Sequence, residues 1–297
     1  MHKGIYFKKG MRVLIQGATG KEGQRALSFM KNYYTNVVAG VTPKKGGQKV
    51  DGVPVFNTVK EAIDAVGYID ISSIYVPALA VKSAVTESVE SGIKFINIMA
   101  ESIPYKDLAY ITSLCENNNV ELLGPGSLGI LVVDEGRIGM IGGINPKTVY
   151  KRGNTSVISR SGGMANEIAH HLLNRSIGIR SVIHLGSEIS SGSTLVKQIR
   201  QLYDDEETDT IMIFEEVTNN NLSELLKFFT EEKIKKLIKL NLVGVAQDIM
   251  PKGVPFGHVD SLTKKDDKLL DDIEALKKVG IDIVDSYERF ADATISK

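Results

Sequence analysis

Several stretches of this 297-residue chain combine residue types and spacings suited to handling phosphate groups. The first is the turn Gly17-Ala18-Thr19-Gly20-Lys21-Glu22-Gly23, set between the apolar run Arg12-Val13-Leu14-Ile15 and a stretch of helical periodicity through Met30. A strand, a glycine turn and a helix start present free amides and the positive end of the helix dipole to an anion, and glycine permits positive φ and close approach. The spacing is G-x-x-G-x-x-G and not the G-x-G-x-x-G of dinucleotide folds, so the turn predicts a phosphate-bearing ligand without naming it. The competing reading is a tight turn whose glycines serve helix–sheet packing. A second strand, small-residue turn and helix begins at Thr155-Ser156-Val157-Ile158-Ser159-Arg160 and continues through Ser161-Gly162-Gly163-Met164-Ala165-Asn166-Glu167, giving a second potential anion site. A third stretch, Pro251-Lys252-Gly253-Val254-Pro255-Phe256-Gly257-His258, carries a loop histidine. Imidazole suits general-base, metal or covalent phosphoryl chemistry, against a merely exposed side chain.

Around these stretches the chain alternates strands and helices. Asn36 to Val41 reads as the second strand, and it ends in Thr42-Pro43-Lys44-Lys45-Gly46-Gly47, where an NAD fold keeps an acid for the ribose hydroxyls. Two lysines there suit a phosphorylated ribose and oppose NAD, or else make a solvated basic loop. Ile69 to Val76, Phe95 to Met99 and Val120 to Leu123 are further strands, with helices from Val81 to Ser91 and from Leu108 to Asn118. The pattern predicts a parallel doubly wound sheet whose ligands sit outside the carboxyl ends of the strands, where the loops at Thr19, Lys45, Pro77 and Glu101 converge. From Leu131 to Pro146 the periodicity gives way to glycines, which reads as a connecting segment. Beyond it lie strands over Ile179 to Leu185, Thr210 to Phe214 and Lys239 to Ala246; the Thr210 strand ends in the carboxylate pair Glu215-Glu216. The expected division is 1–130 and 131–297. His170 and His171 sit in a helical pattern and His184 in a strand, where packing or surface roles are expected.

Lys plus Arg equals Asp plus Glu, 36 of each, which removes a global bias toward nucleic acid or anionic membrane. The single cysteine, Cys115, cannot form a disulfide within the chain or a thiolate metal cluster. No C-x-x-C or H-x-x-x-H pairing suggests a metal site. With no apolar run near the ~20 residues of a membrane span, and no long apolar core in the first residues, a cytoplasmic protein is expected.

Taken together, these motifs resemble the α subunit of succinate–CoA ligase (succinyl-CoA synthetase) over nearly the whole chain. The resemblance rests on Gly17 to Gly23, Gly40-Val41-Thr42-Pro43 with Lys45-Gly46-Gly47, Pro54-Val55-Phe56-Asn57-Thr58-Val59, Tyr75-Val76-Pro77-Ala78 and Ser159-Arg160-Ser161-Gly162. It implies an N-terminal Rossmann-like CoA-binding domain and a C-terminal flavodoxin-like doubly wound ligase domain. It further implies that Thr19, Gly20, Lys21, Glu22, Lys45, Met99, Ala100 and Glu101 contact CoA. His258 falls on the histidine that is transiently phosphorylated, and Glu216 on the carboxylate that orients it. Ser161, Gly162 and Gly163 would hold the phosphoryl group, and Asn166 falls at a substrate position where the succinate enzymes carry tyrosine. The implied reaction converts acid, CoA and nucleoside triphosphate into acyl-CoA, diphosphate and phosphate, with a β subunit supplying the nucleotide site, Mg2+ and ATP or GTP.

Some residues depart from that pattern. Ser161-Gly162-Gly163-Met164 with Asn166-Glu167, and Phe256-Gly257-His258, look closer to ATP-citrate lyase and citryl-CoA synthetase, which share the fold and the phosphohistidine. The family's Gly-Pro-Asn-Cys-Pro-Gly loop reads Gly124-Pro125-Gly126-Ser127-Leu128-Gly129, and its Gly-Gly-Asp loop reads Gly186-Ser187-Glu188. Asp260, two residues past His258, is placed to repel a phosphohistidine. The alternatives are therefore a citryl-CoA synthetase or ATP-citrate lyase-like subunit, a divergent non-catalytic CoA-binding subunit, and an NADP-dependent oxidoreductase suggested by Lys44-Lys45.

Overall fold

The run Arg12-Val13-Leu14-Ile15 extends by one residue into β1 (Arg12–Gln16), and its Val13, Leu14 and Ile15 are fully buried, as a strand covered on both faces requires. In the computed structural model, which describes residues 5–187, 192–216, 221–244 and 269–292, β1 is followed by α1 (Lys21–Lys31), β2 (Asn36–Val41), β3 (Lys49–Val50), β4 (Val53–Phe56), α2 (Val59–Val66), β5 (Ile71–Ile74), α3 (Ala78–Glu90), β6 (Phe95–Ile98), α4 (Tyr105–Asn117) and β7 (Glu121–Leu123). These strands form one sheet in the order β3-β4-β2-β1-β5-β6-β7, parallel except where β3 turns back on β4. The chain winds outward from β1 through β2 to β4, then returns to β5 and winds the other way, so the order reverses beside β1. That reversal opens a crevice outside the carboxyl ends of β1 and β5. Gln16 ties α3 to the sheet: its buried amide donates to Ala84 O and Ser88 Oγ, both at 2.8 Å.

The chain forms two compact units, the first running from Tyr6 to Pro146 and including Gly192 and Ser193. Residues 131–146 are more ordered than the loss of periodicity suggested. They contribute to a hairpin, β8 (Gly129–Val132) against β9 (Gly136–Gly139), before α5 (Pro146–Val149). Glycine here marks close backbone approach and not a break: a Cβ on Gly129 would lie 1.9 Å from Ile138 O, and one on Gly139 2.2 Å from Leu128 O. Arg137 of β9 is fully buried. Its guanidinium donates to Phe29 O, Ile141 O and Gly143 O, placing a cation on one last-turn carbonyl of α1.

The second unit holds β10 (Arg152–Ser159), α6 (Gly162–Asn174), β11 (Ile179–His184), α7 (Leu195–Tyr203), β12 (Thr210–Glu216), α8 (Asn221–Glu231), β13 (Leu237–Val243), α9 (Leu269–Lys278), β14 (Asp282–Val284) and α10 (Arg289–Asp292). Its parallel strands β10 to β14 follow the order β14-β13-β12-β10-β11. This is the flavodoxin-like winding, with its order reversal between β10 and β12. Among the described residues, no helix is long and apolar enough to cross a membrane.

Candidate functional site

In the first unit the glycine turn follows β1 directly, and its three glycines have different reasons to be there. Gly17 has φ +78°, and a Cβ on it would sit 2.7 Å from Tyr75 O at the end of β5; a Cβ on Gly23 would sit 2.2 Å from Gly17 O. Those two serve the packing of α1 on the sheet. Gly20 is the N-cap of α1, exposed, with an ordinary φ of −74° and no side-chain hydrogen bond to the helix. The first-turn amides of α1 therefore have no capping side chain, while Lys21 is exposed beside them. Thr19 is held from below, its amide donating to Thr42 Oγ1 at 3.3 Å, and Glu22 lies in the first helical turn.

Lys45 sits exposed in the loop after β2, which is tied by Lys45 N to Thr42 O at 3.1 Å and by Gly46 N to Asn57 Oδ1 at 3.0 Å. Asn57 leaves no room for a side chain at Gly46, where a Cβ would fall 2.4 Å from its Nδ2. Met99 and Ala100 are half-buried after β6 and Glu101 is exposed; Met99 N donates to Ile74 O at 3.2 Å. Thr19, Gly20, Lys21, Lys45, Met99, Ala100 and Glu101 thus line the carboxyl edge of strands that run β2-β1-β5-β6 in the sheet.

In the second unit Ser161 caps α6, its hydroxyl accepting from Met164 N at 3.4 Å, and its own backbone is pinned by Ser159. Neither φ nor packing demands glycine at 163, where a Cβ would meet only Ser161 Oγ, at 3.9 Å. The turn follows β10, and Glu216 ends β12, the strand paired with β10, so both stand at the order reversal. Glu216 is half-buried. Its neighbour Glu215 is fully buried and paired with Arg160 at 3.0 Å. Burial pushes the Glu215 carboxyl above the ordinary glutamate range, and the Arg160 charge pulls against it.

Asn166 lies on α6 with both ends of its amide engaged: Oδ1 accepts from Tyr150 OH at 2.8 Å, and Nδ2 donates to Gly162 O at 3.2 Å. The partners of Tyr150 and Arg160 were not legible in the sequence, because a tyrosine after an irregular segment and an arginine at a strand end carry no periodic signal. His171 meets Glu288 O at 2.8 Å and His170 lies near Asn174, while buried His184 meets Arg160 O at 3.0 Å. His258 and Asp260 lie outside the described residues.

Two family models match the chain: "CoA binding domain" over residues 8–102 and "Succinyl-CoA ligase like flavodoxin domain" over residues 152–294. The succinate–CoA ligase [ADP-forming] subunit alpha of Aquifex aeolicus is 32% identical over 298 residues, covering 99% of this chain and 94% of the relative. The chain belongs to the succinate–CoA ligase α-subunit family. The subunit of the same name from Staphylococcus aureus is 30% identical over 87% of this chain and 82% of its own. Among solved structures, ATP citrate lyase from Methanothrix soehngenii, determined with citrate and coenzyme A, superposes with a TM-score of 0.86 at 19% identity. That likeness covers 97% of this chain and 49% of the lyase chain, so this chain spans about half of it. A dinucleotide-forming acetyl-coenzyme A synthetase from Ca. Korarchaeum cryptofilum gives 0.74 at 17% identity, over 96% of this chain. Both likenesses show the fold. The Rossmann-like and flavodoxin-like expectations hold, and the first unit is a CoA-binding domain of this ligase family.

Proposed function

We propose that this chain is the α subunit of a nucleoside-diphosphate-forming acid–CoA ligase that works in the cytoplasm with a β subunit. The observation that carries the reading is the uncapped start of α1 at the order reversal of the CoA-binding unit. An uncapped helix end with a glycine at its N-cap and lysines nearby suits the phosphates of CoA, with Lys45 on a phosphate and Met99, Ala100 and Glu101 lining the same edge. Thr19, Gly20, Lys21 and Glu22 supply the turn itself.

In this reading His258 accepts the phosphoryl group and passes it on, dividing a difficult coupling into two transfers. Glu216 accepts a hydrogen bond from one ring nitrogen and leaves the other as nucleophile. Ser161, Gly162 and Gly163 hold the phosphoryl oxygens at the start of α6, where the helix dipole favours the roughly two negative charges of a phosphohistidine. Mg2+ and ATP or GTP bind the partner. Succinate is the first expectation for the acid, and citrate is the second. The Tyr150–Asn166 pair favours weighing citrate, because position 166 then presents an anchored amide and not a phenol. A non-catalytic CoA-binding subunit is the remaining alternative, motivated by Asp260.

The deciding experiment incubates the chain with its β subunit and γ-labelled ATP or GTP, then adds CoA with succinate or citrate. Acid-labile, base-stable label that is discharged by one of the acids supports the ligase and names its acid. A chain that binds CoA but takes up no label in any combination is the non-catalytic subunit.

A further inference from the structure

Glu215 and Glu216 are neighbours of one residue type placed in opposite surroundings. Strand alternation sends their side chains to opposite faces of β12. Glu215 is fully buried and Glu216 half-buried. A buried carboxylate needs a charged or hydrogen-bonding partner, and Arg160 Nε supplies one at 3.0 Å from Glu215 Oε1. The same oxygen accepts from the backbone amide of Glu216 at 3.2 Å. Arg160 is held in turn: its amide donates to Phe214 O at 3.0 Å, and its carbonyl meets the ring of buried His184 at 3.0 Å. One carboxylate oxygen therefore ties the end of β12 to the end of β10, and β10 runs directly into Ser161-Gly162-Gly163. A buried ion pair is weak evidence of stability compared with apolar packing, so what this one supplies is geometry.

We propose that Glu215 is a positioning residue for phosphoryl transfer, fixing the backbone of Glu216, and hence its carboxylate, relative to the amino terminus of α6. The proposal rests on the reading that Glu216 orients the phosphorylated histidine. Carboxylates that orient a reacting imidazole must be held closely, because displacements near 1 Å cost on the order of a hundredfold in rate.

The test uses the chain reconstituted with its β subunit and follows single-turnover transfer of label from ATP to the chain, with CoA binding by calorimetry as a control on folding of the other unit. Glu215→Ala is expected to slow labelling roughly 10- to 100-fold, with CoA affinity and the KM for ATP unchanged. Glu215→Gln keeps an acceptor oxygen for the Glu216 amide and is expected to recover most of that rate. In a Glu216→Gln background, adding Glu215→Ala is expected to cost less than about twofold, because a residue acting through another has nothing left to position. Should Glu215→Ala fail to fold, Glu215→Asp, one methylene shorter, takes its place in the same cycle. A wild-type rate in Glu215→Ala, a loss in Glu215→Gln as deep as in Glu215→Ala, or additive losses with Glu216→Gln overturns the proposal. If Glu216→Gln slows labelling and Glu215→Ala does not, the positioning idea alone fails. If the wild type takes up no label, the reading of Glu216 fails and carries the proposal with it.

Discussion

The amino ends of α1 and α6 follow the same local plan, a buried parallel strand running through a small-residue turn into a helix, yet they are finished differently. α1 starts at Gly20 with no side-chain cap, whereas Ser161 places its hydroxyl on Met164 N. Glycine in place of serine at an N-cap costs a helix only a few tenths of a kcal/mol, which a bound anion can return. If the first end holds the phosphates of CoA and the second a phosphoryl group, as proposed above, the first leaves its helix amides to the ligand, whereas at the second Ser161 Oγ already accepts from Met164 N.

The sharpest way to break the comparison is to remove the relay chemistry from one unit alone. His258→Ala is expected to abolish phosphate labelling while leaving the Kd for CoA within about twofold, because CoA binding belongs to the other unit. Labelling that persists in the variant removes His258 as the relay.

Glycine substitutions come next. Gly23→Ala drives a methyl to 2.2 Å from Gly17 O, a backbone atom that cannot swing aside. It should destabilise the first unit by about 2–4 kcal/mol in urea unfolding and weaken CoA with it. Gly163→Ala meets only Ser161 Oγ at 3.9 Å, so stability should hold within about 0.5 kcal/mol while the phosphorylation rate drops. Equal stability losses in the two variants would show that both glycines are packing devices.

Lys45→Ala is expected to weaken CoA about tenfold and to leave dephospho-CoA nearly unchanged, as one charge-assisted contact to a phosphate is worth roughly 1.5–3 kcal/mol before solvent screening. Calorimetry with both ligands reads this directly. A parallel loss for both places the lysine elsewhere along the ligand.

The smallest effects concern the caps. Gly20→Ser should stabilise α1 by a few tenths of a kcal/mol and lower CoA affinity, since the new hydroxyl competes with phosphate for the same amides. Ser161→Ala should destabilise by ~1 kcal/mol in chemical unfolding. Stability changes of the same sign would remove the distinction drawn between the two helix ends.

The strands and helices that carry these ends were legible because each is a short apolar run joined to an amphipathic stretch, a pattern set within a dozen or so residues. Local physics misled at Gly139, where glycine reads as a breaker. There, as at Gly129 opposite it, glycine permits two strands to close on each other, as the 2.2 Å and 1.9 Å distances show. The pair Glu215-Glu216 was visible as a pair, yet the sequence cannot say which carboxylate turns inward, since either register of β12 fits the letters.

By itself the sequence determined the two α/β patterns, the glycine turns at the ends of the first and tenth strands, and the basic end of the second strand that disfavours NAD. Those properties depend on neighbours in the chain. Only the tertiary structure decided that Glu215 faces Arg160, that Tyr150 reaches Asn166, and that Arg137 reaches the Phe29 carbonyl in the last turn of α1. Each of these joins residues 16 to 108 positions apart. Such pairings follow from which strands the sheet makes adjacent and how deeply it buries their ends, and no local periodicity encodes that.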